Sequence, residues 1–315
     1  MPLNTVFRSL WSLILWGASL GLVGFAGLAL VGIGHHLPDV FVLFAKPMLV
    51  CATAWFALMV LMNRRGPALL TLAACVGLLA ALVPYATPTG AAPEARDLRL
   101  YVSNTWARNE DTDRLAASIQ VSDADVVVLI ELGDASAAAL DGVLADYPHR
   151  VITRRVDRPS GAARSVIASR WPVRPIQEEI MDGLPVVAAE VRTPSGPIRV
   201  FGLHLTRPWP FQPTTGQIWQ LDRLTERLGP QPARTIVAGD FNAPPPGRAL
   251  RHAVEATGLD LVSGAHGTWP SPAPGPLRLA IDHVMASPDL RPLHSELGAS
   301  TGSDHHPVLV DLDLP

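Results

Sequence analysis

Hydrophobic side chains crowd the first 85 residues of this 315-residue chain and alternate with polar ones over the remainder. Three apolar runs, residues 9–33, 40–62 and 67–85, each approach the roughly 20 residues needed to cross the hydrocarbon core of a bilayer. From Met1 to Tyr85 the charged side chains are Arg8, Asp39, Lys46, Arg64 and Arg65. A cleaved signal peptide would account for the first run, but the run is too long for one and two more follow it. The pattern therefore predicts three transmembrane helices. The competing account, a helical hairpin buried in a soluble core, is disfavoured because three such runs in succession are rare there. Lys46 lies several residues inside the second run, beside Pro47. A charge at that depth is a candidate for a role of its own, but the shallow position favours a stem that carries the ammonium out to the interface.

Residues 86–97, rich in Pro, Gly and Ala, read as a linker. Beyond it the periodicity changes. Residues 98–103 alternate as a strand, and 111–121 follow as a helix with acidic residues in its first turn. The continuous Val/Leu/Ile run at 125–132 has the character of a strand buried on both faces. Residues 135–145 read as helix. Strands are then expected at 150–154, 165–169, 186–191 and 198–204, a helix at 215–228, a strand at 235–238 and a helix at 248–256. Strands at 281–286 and 307–311 close the chain, and the Pro-rich stretches 208–213 and 270–276 read as surface loops. Strands with intervening helices predict a layered α/β domain over residues 98–315.

Composition and charge narrow the partners. Charged residues are 17% of the chain, against about 25% in soluble domains, and the deficit falls in the apolar third. From Asp97 onward 20 arginines face 26 acidic residues, a balance of −6. The net charge thus lacks the basic footprint of non-specific nucleic-acid binding, although a local patch stays open. Cys51 and Cys75 both lie in the apolar third, so the domain beyond has no disulfide framework and no cysteine-based zinc site. Arg8 precedes the first run, Arg64 and Arg65 separate the second from the third, and the 35–39 loop has neither Arg nor Lys. The positive-inside rule then places the N-terminus in the cytoplasm, and three crossings put the C-terminal domain outside.

Residues suited to metal or phosphate chemistry recur where strands end. Asn104 follows the first strand, Glu131 ends the Val-rich run, and His204 ends residues 198–204. Gly239-Asp240-Phe241-Asn242 follows another strand, Asp282-His283 follows Ile281, and Ser303-Asp304-His305-His306-Pro307 leads into the last. Strand ends in layered α/β folds are where rigid backbone holds converging side chains. Each motif alone has a bland reading: a turn, a solvated carboxylate or a core histidine. All the bland readings holding together is improbable.

In order and spacing, these six motifs resemble the endonuclease/exonuclease/phosphatase superfamily, which includes DNase-I-like nucleases, neutral sphingomyelinases and inositol-phosphate phosphatases. The resemblance runs from Asp97 nearly to Pro315. It implies a four-layer α/β/β/α sandwich with the site at one end of paired sheets. It also implies Mg²⁺ (or Mn²⁺) on Glu131, supported by Asn104 and Asp304, in keeping with the preference of these ions for hard oxygen donors. His305 would be a general base or an electrostatic partner of the phosphate, oriented by Asp282. Asp240 would orient or deprotonate the attacking water, Asn242 would donate to a phosphoryl oxygen, and His204 would stabilise charge or protonate the leaving oxygen.

The expected substrate follows from the anchor. A linker of a dozen residues reaches at most about 40 Å, and Arg207, Trp209 and Trp269 sit in Pro-rich loops as candidate substrate-binding residues. The tryptophans either meet a lipid interface or pack the rim of the cleft. A phosphate or pyrophosphate on an envelope lipid or lipid-linked precursor is the leading expectation, with the lipid bilayer as partner. The resemblance extends loosely to three-span bacterial members linked to glycopeptide resistance, which implies the bacterial inner membrane; the extracytoplasmic placement of the catalytic domain rests on Arg8, Arg64 and Arg65. An extracytoplasmic nuclease, and a non-catalytic membrane sensor binding a phosphorylated ligand, stand as alternatives.

Overall fold

The structure, a computed structural model, describes residues 3–86, 95–158, 161–176, 184–208, 214–229 and 232–315. Most of the expected linker, residues 87–94, lies outside the described residues. The N-terminal third is helical: α1 Leu3–Val31, α2 His36–Val42, α3 Ala45–Leu61 and α4 Arg65–Leu82. Two segments, Phe7–Val31 and Arg65–Tyr85, are long and apolar enough to cross a membrane.

The second expected span departs from the prediction. Residues 40–62 do not form one helix: α2 and α3 meet at a 64° bend, so the count is two spans, or three if the bent pair is one. Pro47 supplies a physical reason. Its ring would clash with the carbonyl of Leu43 in a continuous helix, but it is tolerated in the first turn of a new one, and α3 begins two residues before it. The helices pack as α1 on α4 and α3 on α4. A polar node joins them: the Trp55 indole and the Thr71 hydroxyl both donate to Ser19 Oγ, each at 3.1 Å. Lys46 does not only reach for solvent; its Nζ donates to the carbonyl of Ala265, in the domain that follows, at 3.3 Å.

That domain is built on two sheets. Strands β1 Leu98–Asn104, β2 Val126–Leu132, β3 His149–Ile152, β4 Val156–Arg158, β5 Gly161–Ser169, β12 Arg291–Leu297 and β13 Val308–Asp313 form a seven-stranded sheet. Its order is β12-β13-β1-β2-β5-β3, with β4 paired to β5. Strands β6 Val173–Pro175, β7 Val186–Thr193, β8 Gly196–His204, β9 Thr235–Asp240, β10 Asp260–Leu261 and β11 Asp282–Ala286 form a six-stranded sheet of order β10-β11-β9-β8-β7-β6. β1 with β2 and β8 with β9 are the parallel pairs, and the remainder are antiparallel.

Alternation along each strand separates the layers. Leu98, Leu100 and Val102 of β1, with Val126, Val128 and Ile130 of β2, enter the core between the sheets. Tyr101, Val127 and Leu129 point the other way, onto Leu115 and Ile119 of α5 Thr112–Ser122. On the six-stranded sheet, Phe201 and Val237 face outward onto Leu221 and Leu224 of α8 Thr214–Leu228 and Leu250 of α9 Arg248–Thr257. Helix, sheet, sheet and helix stack as the expected four-layer sandwich. The helix expected at 135–145 is two short ones, α6 Asp134–Ala138 and α7 Leu140–Val143.

Strands β4, β6, β10 and β12 were not anticipated. All four lie at sheet margins, where solvent accepts Arg291, Pro292, Pro175 and Asp260 and erases the alternation that marks an interior strand.

Candidate active site

Strand register assembles the first half of the site. His204 of β8 pairs with Asp240 of β9, and Asp240 pairs with Asp282 of β11. Three adjacent strands, each under about 5 Å from the next, thus present His204, Asp240 and Asp282 as one row at the end of the sheet. Gly239 makes the row possible: its φ is +139°, and a Cβ there would stand 2.0 Å from the Leu203 carbonyl oxygen. Asn242, two residues beyond the row, takes φ +48° and donates its amide N–H to Asp240 Oδ1 at 2.8 Å.

The opposing sheet supplies Asn104 and Glu131. The β2–β5 ladder shifts register between Leu129 and Leu132, and Glu131 sits in that irregularity at φ +56°. A bulge of this kind re-aims a side chain out of the pleat, and a left-handed glutamate is a strained conformation found where function holds it. Asn104 ends β1, donates Nδ2 to Asp240 Oδ2 at 3.0 Å and accepts from the Trp106 amide. His204 bridges the two sheets: Nδ1 lies 3.8 Å from Glu131 Oε1 and Nε2 lies 3.5 Å from Asp240 Oδ2.

The turn before β13 adds Asp304 and His305. His305 Nδ1 meets Asp282 Oδ2 at 2.8 Å, while Nε2 lies 4.0 Å from Asp240 Oδ2 and 3.9 Å from Asp304 Oδ1. Ser303 ties this turn to the first strand by donating to the Asn104 carbonyl and accepting from the His305 amide. The Trp269 indole donates to Asp304 Oδ2 at 3.0 Å, so this half-buried tryptophan packs at the rim and holds a site carboxylate. Asp240, Asp282 and His305 are all at most 5% exposed.

Burial and crowding shift the protons. Desolvation raises Asp240, the nearby Asp282 charge adds to it, and the carboxyl is pushed up to about 7. Burial alone would lower His305, but the charge and hydrogen bond of Asp282, with Asp240 and Asp304 beyond, outweigh it and raise the imidazole to about 9. His283, next to Asp282, goes the opposite way: burial lowers it to about 4, and its Nε2 faces the Ala243 carbonyl at 2.8 Å. The two histidines beside Asp282 are thus driven in opposite directions, His305 toward the imidazolium and His283 toward the neutral ring.

The family profile described as the endonuclease/exonuclease/phosphatase family matches residues 101–305. The chain belongs to that family. Among solved structures, an endonuclease/exonuclease/phosphatase from Beutenbergia cavernae DSM 12333 is similar at 25% identity and TM-score 0.56, over 70% of this chain and 72% of that one. A mannosyl-6-phosphatase of Bacteroides thetaiotaomicron VPI-5482 shares the fold at 16% identity and TM-score 0.55, over 68% of this chain and 99% of that one. D. rerio TDP2, in complex with a single-strand DNA product, does so at 17% identity and TM-score 0.53, over 69% and 98%. Curated proteins yielded no match.

Within the family domain the residue types suit a divalent cation. Asp240, Asp282 and His305 place ligand atoms within 4.8 Å of one another. Of the expected ligand set, Asn104 and Asp304 border this group through the Asn104–Asp240 and Asp304–His305 contacts, and Glu131 reaches it by way of His204. Asp282 Oδ1 and Asp304 Oδ1 are buried acceptors that no donor among the described residues satisfies, and such atoms need a partner. Four carboxylates against two histidines leave excess negative charge in a low-dielectric site, which a cation offsets. Oxygen donors without thiolate favour a hard ion.

Of the expected substrate-binding residues, Trp209 lies outside the described residues. Arg207 is exposed on the segment after β8. One supporting residue escaped the sequence reading. Gln217 of α8 is 1% exposed and donates Nε2 to the carbonyls of Phe241 and Asn242, at 3.0 and 3.1 Å. Its signal was present: Gln217 continues the Leu221, Leu224, Leu228 stripe, and an amide inside an apolar stripe needs a polar target.

Proposed function

We propose that the chain is a membrane-anchored, divalent-metal-dependent phosphoesterase that hydrolyses a phosphate, phosphodiester or pyrophosphate bond on an envelope lipid or lipid-linked precursor. The His204–Asp240–Asp282 row, with Asp240 and Asp282 buried and His305 seated on Asp282, carries the reading. Glu131, with Asn104 and Asp304, would hold a divalent ion such as Mg²⁺ or Mn²⁺, which would supply Lewis-acid polarisation of the phosphoryl group. Asp282 Oδ2 is committed to His305, while its Oδ1 has no donor among the described residues.

The protein's own groups do the positioning. His305, held as an imidazolium by Asp282, neutralises phosphoryl charge; its raised proton affinity suits this role better than that of a general base. Asp240, with a carboxyl near 7, orients the attacking water and takes its proton. His204 lies between Glu131 and Asp240 and serves the leaving oxygen. Asn242 commits one N–H of its amide to the Leu205 carbonyl, and the other N–H donates to a phosphoryl oxygen. Arg207 extends the substrate-binding surface past β8, and Trp269 positions Asp304.

The anchor supports a lipid-borne substrate. Arg8 begins the far part of α1, some 22 residues or about 33 Å of helix from the Leu30 end that meets the catalytic domain. Arg64 and Arg65 lie at the start of α4, whose other end leads to that domain. Basic residues gathered at the remote end support a cytoplasmic N-terminus and an extracytoplasmic catalytic domain, with α3 crossing between α1 and α4. A metal-dependent assay of the purified protein against lipid phosphates, lipid pyrophosphates and plasmid DNA tests the reading. Lipid turnover supports it. DNA nicking without lipid turnover would replace it with a nuclease, and ligand binding without turnover would make the domain a sensor.

A further inference from the structure

Among the described residues, three basic side chains make polar contacts between the helical anchor and the catalytic domain. Arg248 and Arg251 stand one turn apart on α9. Arg248 donates Nε and Nη2 to Asp39 Oδ2 on α2, at 3.1 and 2.8 Å, and Asp39 is only 7% exposed. Arg251 donates Nη1 to the Leu30 carbonyl at 3.1 Å. That oxygen belongs to the last turn of α1, where carbonyls lack amide partners and the helix dipole is negative.

Gly32 opens the slot that this guanidinium occupies. It takes φ +67°, and a Cβ there would lie 1.8 Å from Arg251 Nη2. On the other flank, Lys46 at the start of α3 donates to Ala265, and the turn Gly275–Leu277 packs against α3.

Both flanks are continuous with the active site. Asp39 and Leu43 of the anchor line a groove together with Asn242, Pro244 and Gln217. The segment from Ala265 to Leu279 carries Trp269, which holds Asp304, and Thr268, whose carbonyl accepts from the His306 amide. The elbow between α1 and α3 therefore touches both loops that border the catalytic residues. A bare tether of a dozen residues would leave the mouth of the site free to turn in any direction.

We propose that the anchor is a positioning element of the active site: Arg248 on Asp39 and Arg251 on the end of α1 clamp the domain to the elbow, so that its mouth faces phosphate groups carried by the bilayer. This rests on the phosphoesterase reading above and assigns its membrane preference to named residues. Fixed orientation raises the effective concentration of a membrane-borne group without a new contact to it.

The experiment compares one headgroup in two settings: phosphatidic acid in phosphatidylcholine nanodiscs that hold the full chain, and soluble dihexanoyl phosphatidic acid. The double variant Arg248→Ala, Arg251→Ala is expected to lose about tenfold or more on the nanodisc substrate while the soluble rate stays within about twofold. The charge exchange Asp39→Arg with Arg248→Asp is expected to restore most of the loss caused by either change alone. An unchanged nanodisc rate in the double variant, or equal losses on both substrates, overturns the positioning role. A second arm reads docking without any substrate. Spin labels at the exposed positions Leu37 and Glu255, with Cys51 and Cys75 replaced by Ala, should give one narrow distance distribution that broadens in the double variant. A broad distribution in the parent protein overturns the clamp. Wild-type failure on both lipids refutes the lipid reading alone, because the spin-label arm still decides the clamp.

Discussion

In the six-stranded sheet, His204, Asp240 and Asp282 reach the site because three neighbouring strands run in register, whereas in the seven-stranded sheet Asn104 and Glu131 reach it where regular pairing ends. The first arrangement is rigid and needs one special backbone position, Gly239. The second relies on a bulge and a left-handed glutamate. The contrast teaches that a buried charge row can be built from ordinary ladder geometry, while a side chain that must leave the sheet to meet a cation needs a local departure from it. His204 joins the two halves, so each half can be tested through the other.

The largest effect is expected where both halves converge. His305→Ala, or Glu131→Ala, should reduce metal-dependent hydrolysis by about 10³-fold or more. The two should differ in kind: added metal partly rescues Glu131→Gln but leaves His305→Ala unchanged. Full activity in either purified variant would end the assignment.

Next in size, Asp282→Asn should drop the His305 pKa from about 9 toward or below 6.5, because the charge and the hydrogen bond that raise it disappear. Imidazole titration by NMR in chelator reads the change. An unshifted His305 would break the account of the row.

Gly239→Val tests ladder geometry without touching a reactive group. A Cβ forced against the Leu203 carbonyl should cost about 2–4 kcal/mol of stability and misplace Asp240. Chemical denaturation measures it, and a loss below about 1 kcal/mol would show that the row tolerates movement.

The smallest effect is a pH dependence. Asp240 is raised from 3.8 to about 7 and His305 from 6.5 to about 9, so the folded protein holds both protons more tightly than the unfolded chain. Their contribution is therefore present at low pH. It is lost as pH rises, for Asp240 between 3.8 and 7 and for His305 between 6.5 and 9. In chelator, the melting temperature should fall by a few degrees between about pH 6 and pH 10, as the folded protein gives up protons that it held more tightly than the unfolded chain. A melting temperature that rises over this range contradicts the assigned protonation.

Much of this was legible along the chain, for reasons visible in particular residues. The Val126–Ile130 run and the Leu98, Leu100, Val102 alternation announced interior strands, since burial on a pleated surface imposes that pattern. The margin strands β4, β6, β10 and β12 were silent, because solvent imposes none. The six polar strand ends pointed to the site, and the structure gathers Asn104, Glu131, His204, Asp240, Asp282, Asp304 and His305. Gln217 was marked only as an amide within an apolar stripe; its targets, two backbone carbonyls, leave no mark on sequence.

The first and third apolar helices, the interior strands and the kinds of residue at strand ends were settled by the sequence itself, through periodicity and composition that act over a few neighbours. Tertiary structure alone decided which strand lies beside which, and hence that His204, Asp240 and Asp282, spread over 78 residues, form one row. It also decided the seat of Arg251 against Gly32. Those depend on register and on contacts over two hundred residues apart, and no local pattern encodes the distance between them.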